Sequence, residues 1–230
     1  MTPSQRHPWL RPAAVLAHRT RRRAQWLLSD TDWATYRRPD DLPVRLERHD
    51  SLLLRELAGV DMALQHNKVV NLRLATGRID RLVLRPGETF SFNKVVGSCS
   101  RRKGYVEGLR LADGTPGAGV GGGICQLANL LHWLVLHSPL TVLERSEHSV
   151  DPFPDNGRVV PWGVGCTIVY NYVDLVVRDE RFETGPDGLV RRSNEIWRTT
   201  TDRRTGAVVA TELVRRNRAV VRYATGVSHA

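Results

Sequence analysis

The feature that most constrains the fold of this chain is a run of glycines that leads directly into a long apolar segment. Gly121, Gly122 and Gly123 precede Ile124, and nearly every residue from 127 to 136 is apolar. Glycine adopts backbone angles that other residues avoid, so the run predicts a tight turn. A segment that is apolar on nearly all faces predicts a buried helix. We therefore expect a domain built around a central helix that begins just after the glycines.

Short strand-like runs flank this segment on both sides. Residues 89–92 alternate polar and aromatic side chains, and residues 166–177 form the longest run rich in β-branched and aromatic residues. Three shorter runs are also predicted as strands: 69–72, 82–84 and 141–145. The expected fold class is α+β, in which a mainly antiparallel sheet packs on the buried helix whose N-terminus carries Cys125.

Composition divides the chain into three predicted parts. Residues 1–50 form a basic extension, residues 51–180 the core domain and residues 181–230 a C-terminal β-rich segment. Between residues 6 and 28 arginines alternate with Trp and Leu, and the first acidic residue is Asp30. This pattern is typical of a basic amphipathic helix on an anionic membrane surface. It also fits a helix that packs its Trp and Leu side chains on the core and turns its arginines outward.

The formal net charge of +10 comes almost entirely from arginine, with 31 Arg and 3 Lys. Such a bias follows either from a GC-rich genome or from attraction to anions such as nucleic acid, anionic lipid or a phosphorylated precursor. The basic residues are scattered and form no nucleic-acid-binding motif, so nucleic acid is not an expected partner. No signal peptide or membrane span is evident in the sequence. The expected location is cytoplasmic, with peripheral contact to the inner face of the membrane through the basic N-terminus.

Cys125 is the residue most suited to carry chemistry, because it follows the glycines at the predicted start of the buried helix. The first N–H groups of a helix lack internal partners and the dipole there is positive, so the pKa of a thiol is expected to fall. Amides of residues 121–123 and of Gln126 can converge on an oxyanion. A nucleophilic cysteine also needs a base, and His148 follows the next predicted strand. The alternative is a small buried cysteine beside glycines that only form a turn.

Other motifs that would indicate an enzyme class are absent from the sequence. The glycine run lacks the Gly-Lys-Ser/Thr ending of a phosphate loop, neither GxSxG nor HExxH occurs, and the cysteines have no zinc spacing. We therefore expect neither a metal nor a cofactor. Cys99 and Cys166 are predicted to be structural, as are His132 and His137 on the apolar helix. The odd number of cysteines argues against a disulfide framework and suits a reducing compartment.

The middle of the chain carries a set of short motifs in a fixed order. They are Pro86-Gly87-Glu88-Thr89-Phe90-Ser91-Phe92-Asn93, Val96-Gly97, Gly104-Tyr105, Gly121-Gly122-Gly123-Ile124-Cys125-Gln126, Glu144-Arg145 and His148-Ser149. In order and spacing the set resembles the VanW family of bacterial proteins, over roughly residues 61–179. The family usually has Asp-Ala where this chain has Gly165-Cys166.

The resemblance implies a link to peptidoglycan metabolism and to glycopeptide (vancomycin) resistance. Some exported members of the family are regarded as L,D-transpeptidases, which join stem peptides through a cysteine acyl-enzyme. Carried over by motif, Cys125 is the nucleophile and His148 its base, and Asp151 or Asp174 would replace the family Asp that is missing at Gly165. The implied partner is a peptidoglycan stem peptide or its precursor. A second class stays open, a non-catalytic protein that binds a cell-wall precursor or a related ligand.

Overall fold

The computed structural model describes residues 9, 11–40, 45–54, 56, 59–112, 115–138, 140–147, 164–180, 186, 189–201, 205 and 207–222. Its helices are α1 (Arg11–Leu28), α2 (Met62–Ile79), α3 (Phe92–Val96) and α4 (Ile124–Leu136), with a 3-10 turn at Arg101–Lys103. Its strands are β1 (Thr89–Ser91), β2 (Glu107–Ala112), β3 (Thr115–Val120), β4 (Thr141–Glu144), β5 (Val176–Arg178), β6 (Leu189–Thr201) and β7 (Val208–Arg222). The protein is α+β, as the sequence predicted.

The strands form one small central sheet and two hairpins, and all the named pairings are antiparallel. The central sheet has the order β1-β5-β4, so that Val177 pairs with Phe90 on one side and with Val142 on the other. In the β2–β3 hairpin Gly108 lies opposite Gly119. This hairpin matters for the site, because β3 ends at Val120 and the chain enters the glycine turn and then α4.

The hydrophobic core lies between α2, α4 and the central sheet. It joins Ala75 of α2 and Ala128 of α4 to Phe92, Leu175 and Val177. In α4 the buried residues are Ile124, Leu127, Ala128 and His132, and the other residues of the helix are half-buried. The apolar run thus forms the helix that its pattern predicted.

The strand predicted at residues 69–72 is wrong, because these residues lie inside α2. Asp61 caps the helix by accepting a hydrogen bond from the backbone N–H of Ala63 at 2.8 Å. The buried residues of α2 then recur with helical spacing: Gln65, Lys68, Asn71, Leu72 and Ala75. Packing of this face on the core outweighs the β-propensity of the two valines at 69 and 70.

Two further strand predictions are also corrected by the structure. Residues 82–84 contribute only an isolated bridge between Leu82 and Arg37. Of the run 166–177, only its last two residues belong to a strand, β5. Val169 and Val173 instead bridge each other across a turn in which Asn171 has a φ of 53°. A left-handed residue of this kind interrupts an extended strand.

Helix α1 occupies part of the N-terminal extension and packs on the core through its polar side. Arg22 is bound to Glu144 of β4, and Trp26 is half-buried with the ammonium of Lys94 5.3 Å from its ring centroid. Leu16 and Leu27 are exposed. The alternative in which Trp and Leu pack on the core with arginines outward therefore holds for Trp26. It is wrong for Leu16, Leu27 and Arg22.

Among the described residues, no helix has both the length and the apolar content that are needed to cross a bilayer. The C-terminal part of the chain contains the β6–β7 hairpin, whose strands have 13 and 15 residues.

Candidate functional site

The glycine turn that precedes α4 is packed too closely to hold side chains. Gly121 and Gly123 have φ values of 77° and 94°, in the left-handed region that favours glycine. A Cβ at Gly122 would lie 2.2 Å from the carbonyl oxygen of Gly108, and one at Gly123 would lie 2.0 Å from Cγ of Lys68. The glycines are therefore required by the packing of the turn itself.

A fully buried amide, Asn71 of α2, ties this turn to the start of the β2 hairpin. Its Nδ2 donates to the carbonyl oxygens of Val106 at 3.0 Å and Gly122 at 2.9 Å, and its Oδ1 accepts from the N–H of Val106 at 2.9 Å. Such a satisfied buried amide specifies a single arrangement. The local sequence pattern did not predict this role for Asn71. An asparagine inside a helix disfavours the helix unless its side chain has a partner, so its presence there indicates such a contact.

Cys125 is the second residue of α4 and is half-buried. Its Sγ lies 4.0 Å from the carbonyl oxygen of Ile168. Burial raises the pKa of the Cys125 thiol, and backbone contacts at Ile168 and the positive charge of Arg110 oppose this only in part. The expectation of a lowered pKa is therefore wrong, because desolvation outweighs the helix N-terminus. In this arrangement the sulfur is held as a thiol near neutral pH.

Three backbone donors around the turn already have acceptors. The N–H of Gly121 donates to Val106, that of Gly122 to Gly119 and that of Gln126 to Gly123, at 3.0, 2.9 and 2.9 Å. The Gln126 side chain donates to Oγ of Ser51 and the carbonyl of Leu52. In the part of the chain that the structure describes, the N–H groups of Gly123 and Ile124 have no acceptor. An oxyanion at this turn would be held by these two groups.

One face of α4 binds the backbone of an extended segment, residues 164–168. Cys125, Asn129 and His132 are spaced four and three residues apart and so lie on one side of the helix. Their partners are alternate residues of the segment: the Ile168 carbonyl for Cys125 Sγ, the Cys166 N–H for Asn129 Oδ1 at 2.7 Å, and the Val164 carbonyl for His132 Nδ1 at 2.8 Å. The segment thus runs antiparallel to α4 and covers the thiol.

The other side of this segment pairs with the residues that follow β4. Arg145 Nη1 donates to the Gly165 carbonyl at 3.1 Å, and the Thr167 N–H donates to the Ser146 carbonyl at 2.8 Å. Thr167 Oγ1 donates to the carbonyl of Glu147 at 3.2 Å, one residue away from the Ile168 carbonyl that faces Cys125. Glu147 is the last described residue before His148.

Several residues of the predicted site lie outside the described part of the chain. They are His148, Ser149 and Asp151, within the stretch 148–163. The pairing of His148 with Cys125 therefore stays a prediction.

Asp174, the other carboxylate considered as a replacement for the family Asp, is occupied elsewhere. Its Oδ2 accepts from Oγ of Ser91 at 2.6 Å, and its Oδ1 accepts from the N–H groups of Asn93 and Leu175, both at 2.9 Å. Burial raises its pKa to about 6, although these hydrogen bonds favour the ionised form. The carboxylate anchors the start of α3, and no hydrogen bond between described residues joins it to Cys125.

The three cysteines are all free thiols. Cys99 packs on the glycine turn, since a Cβ at Gly121 would lie 2.5 Å from its Cβ. Burial raises the pKa of Cys99, and burial also raises the pKa of the fully buried Cys166 to about 12. Both side chains are therefore protonated near neutral pH.

Comparisons with known proteins identify a family model and two relatives that match this chain. Residues 67–184 match the family model described as VanW like protein. The Vancomycin B-type resistance protein VanW of Enterococcus faecalis is 42% identical over 139 residues, which cover 60% of this chain and 50% of that protein. The Uncharacterized protein YoaR of Bacillus subtilis is 41% identical over 96 residues, which cover 40% of this chain and 32% of that protein. The chain thus matches half or less of these relatives, and no solved structure matches it.

Proposed function

The chain belongs to the VanW family, and we propose that it acts in peptidoglycan metabolism and glycopeptide resistance as a cysteine-dependent acyltransferase of the L,D-transpeptidase type. The substrate class is a peptidoglycan stem peptide or its precursor. The name of the Enterococcus faecalis relative supports the link to resistance. The observation that carries the chemistry is the position of Cys125 in the first turn of α4, beside the N–H groups of Gly123 and Ile124, for which the described residues provide no acceptor.

The proposed reaction has two steps. Cys125 Sγ attacks the carbonyl carbon of a peptide bond while its proton passes to a base, for which we propose His148. The C–N bond then breaks, the leaving amine takes the proton, and a thioester remains on Cys125. An acceptor amine or water attacks the thioester carbonyl and releases the thiol. Because burial raises the pKa of Cys125, the first step needs this base at neutral pH.

The decisive test is intact-mass detection of an acyl-enzyme after incubation with a purified stem-peptide donor. We expect the wild type to gain the mass of the donor minus its leaving amine, and Cys125→Ala to gain nothing. Cys99→Ala is the matched control, since Cys99 is also a half-buried thiol at the glycine turn, and it should keep the adduct. A folded wild type that forms no adduct with either stem peptides or precursors would contradict the proposal.

The pH dependence of alkylation tests the state of the thiol. The iodoacetamide rate at Cys125 should show an inflection above the ordinary thiol value of about 8.5. Arg110→Ala should move the inflection higher, because the charge of Arg110 favours the thiolate. Arg102→Ala, at another exposed arginine, should leave it in place. An inflection below the ordinary value would contradict the burial argument.

A non-catalytic role as a binding protein is the second candidate. It is favoured by the raised pKa of Cys125 and by the contact of its sulfur with the Ile168 carbonyl, because both favour the protonated, unreactive thiol. Calorimetry of the same stem peptides with wild type and Cys125→Ala separates the two. Equal binding by both proteins, with no adduct on the wild type, would support a binding protein.

A further inference from the structure

Helix α1 packs on the domain with the reverse of the usual polarity. A surface helix normally buries an apolar stripe and exposes its charged side chains. In α1 the side that meets the core includes His18, Arg22 and Gln25, which share a face because they are spaced four and three residues apart. Trp26, four residues after Arg22, is half-buried on the same side. Leu16 and Leu27 lie on the opposite face and are 66% and 82% exposed. These two leucines therefore point away from their own domain.

The polar contacts of the inward face fix the rotation of the helix. Arg22 donates to both carboxylate oxygens of Glu144, at 2.7 and 2.5 Å, and only 16% of its side chain is exposed. The ring of His18 packs edge-to-face on Tyr172, with 4.3 Å between the centroids. A cavity of about 220 Å³ lies under the helix and is lined by His18, Arg21, Arg22, Gln25, Glu144 and Tyr172. Turning the leucines inward would break this partly buried ion pair and leave Glu144 without the guanidinium.

The outer face of α1 combines apolar and cationic side chains. Leu28, like Leu27, is 82% exposed at the end of the helix. The helix contains five arginines and no acidic residue. Arg23 is exposed and lies on the same face as Leu16 and Leu27, seven and four residues away from them. Leucines bordered by unopposed arginines form the surface that fits the headgroup region of an anionic bilayer.

We propose that the outer face of α1 docks on an anionic membrane surface, with the helix lying in the plane of the bilayer. Leu16 and Leu27 would enter the boundary of the acyl chains, while Arg23 binds lipid phosphates. Charge favours this partner over a second copy of the chain, since two copies would bring like-charged arginine faces together. The proposal is independent of the chemistry at Cys125, so either can fail alone.

Sedimentation of the full chain with vesicles tests this surface. The wild type should bind phosphatidylcholine vesicles that contain about one third phosphatidylglycerol, and added salt should weaken the binding. Leu16→Gln/Leu27→Gln should lower the partition coefficient about tenfold or more, because two buried leucines are lost. Arg23→Gln should lower it about fivefold through the loss of one charge near the surface. Vesicles of phosphatidylcholine alone should bind little protein.

The matched control is Leu46→Gln/Leu52→Gln, which replaces two leucines that are 60% and 65% exposed elsewhere on the chain. This control should bind as the wild type does. If Leu16→Gln/Leu27→Gln fails to fold by circular dichroism, the single variant Leu27→Gln at the end of the helix takes its place. A wild type that does not bind the anionic vesicles, or leucine variants that bind equally well, would overturn the proposal. A wild-type dimer that Leu16→Gln/Leu27→Gln dissociates would overturn it too, in favour of a second copy.

Discussion

The glycine turn and the segment 164–168 lie on two sides of Cys125 and are held by different means. The turn is held by contacts that leave no room for a Cβ, at Gly122 against Gly108 and at Gly123 against Lys68. The segment is held by individual hydrogen bonds and polar contacts, from side chains of α4 on one side and from the residues that follow β4 on the other. Steric exclusion tolerates almost no change, whereas a lost hydrogen bond costs about 0.5–1.5 kcal/mol. The thiol is therefore positioned rigidly on its turn side and adjustably on its segment side.

The largest effect is expected at the turn, from Gly122→Ala. The new Cβ would lie 2.2 Å from a backbone oxygen, so the turn must move, and we expect the free energy of unfolding to fall by about 3 kcal/mol or more. Gly77→Ala is the control, because Gly77 lies within α2 with nothing within 4 Å of its Cβ position. It should gain about 0.5–1 kcal/mol. Urea unfolding measures both, and equal stabilities would show that the turn has space.

Asn71→Ala should have the next largest effect. It removes three hydrogen bonds to Val106 and Gly122 and leaves buried groups without partners, so we expect a loss of about 2–4 kcal/mol. Asn67→Ala, one turn earlier in α2, removes an exposed hydrogen bond to the carbonyl of Glu107 and should cost below about 1 kcal/mol. Equal urea midpoints for the two variants would show that the buried hydrogen bonds of Asn71 stabilise the protein no more than the exposed one of Asn67.

On the segment side, Asn129→Ala removes the contact of Oδ1 with the Cys166 N–H. We expect a loss of about 1–2 kcal/mol, smaller than for Asn71→Ala, because one bond is lost instead of three. Alkylation of Cys125 should also become faster, since the segment that shields its sulfur is held less tightly. Unchanged alkylation alongside the lower stability would show that the segment does not control access to the thiol.

The smallest effect is expected from the protonation of His132, which binds the Val164 carbonyl. Burial lowers its pKa from the ordinary value of about 6.5, so the unfolded chain takes up this proton first as the pH falls. The stabilisation from His132 is therefore complete above about pH 6.5 and declines below it. Asp174, with a pKa raised to about 6, changes stability in the opposite direction over an overlapping range.

The two contributions separate when the unfolding free energy of the wild type is compared with that of His132→Gln across pH 5–8, a range that spans the ordinary histidine pKa of about 6.5. Asp174 is present in both proteins and cancels in the difference. The stability advantage of the wild type should shrink as the pH falls. A difference that stays constant with pH would show that His132 is not kept neutral by the fold.

The local pattern of the sequence was sufficient to predict α4, the glycine turn before it and the α+β fold class. Glycine angles and an unbroken apolar run depend on neighbouring residues alone, so Gly121–Cys125 could be placed from the sequence. The run 69–72 was predicted wrongly, because its helix is stabilised by packing of Asn71 and Leu72 on distant elements. Propensity yields to such packing when the two disagree.

The local sequence determined that Cys125 lies in the first turn of a helix and directly follows a turn that only glycine can form. The tertiary structure decided the state of that thiol, because burial raises its pKa and its sulfur contacts a carbonyl, that of Ile168, which lies 43 positions away. It also decided which face of α1 meets the core, through an ion pair between residues 122 positions apart. Turn geometry depends on a few adjacent dihedral angles, whereas pKa and burial depend on whatever the fold brings near, which no local pattern contains.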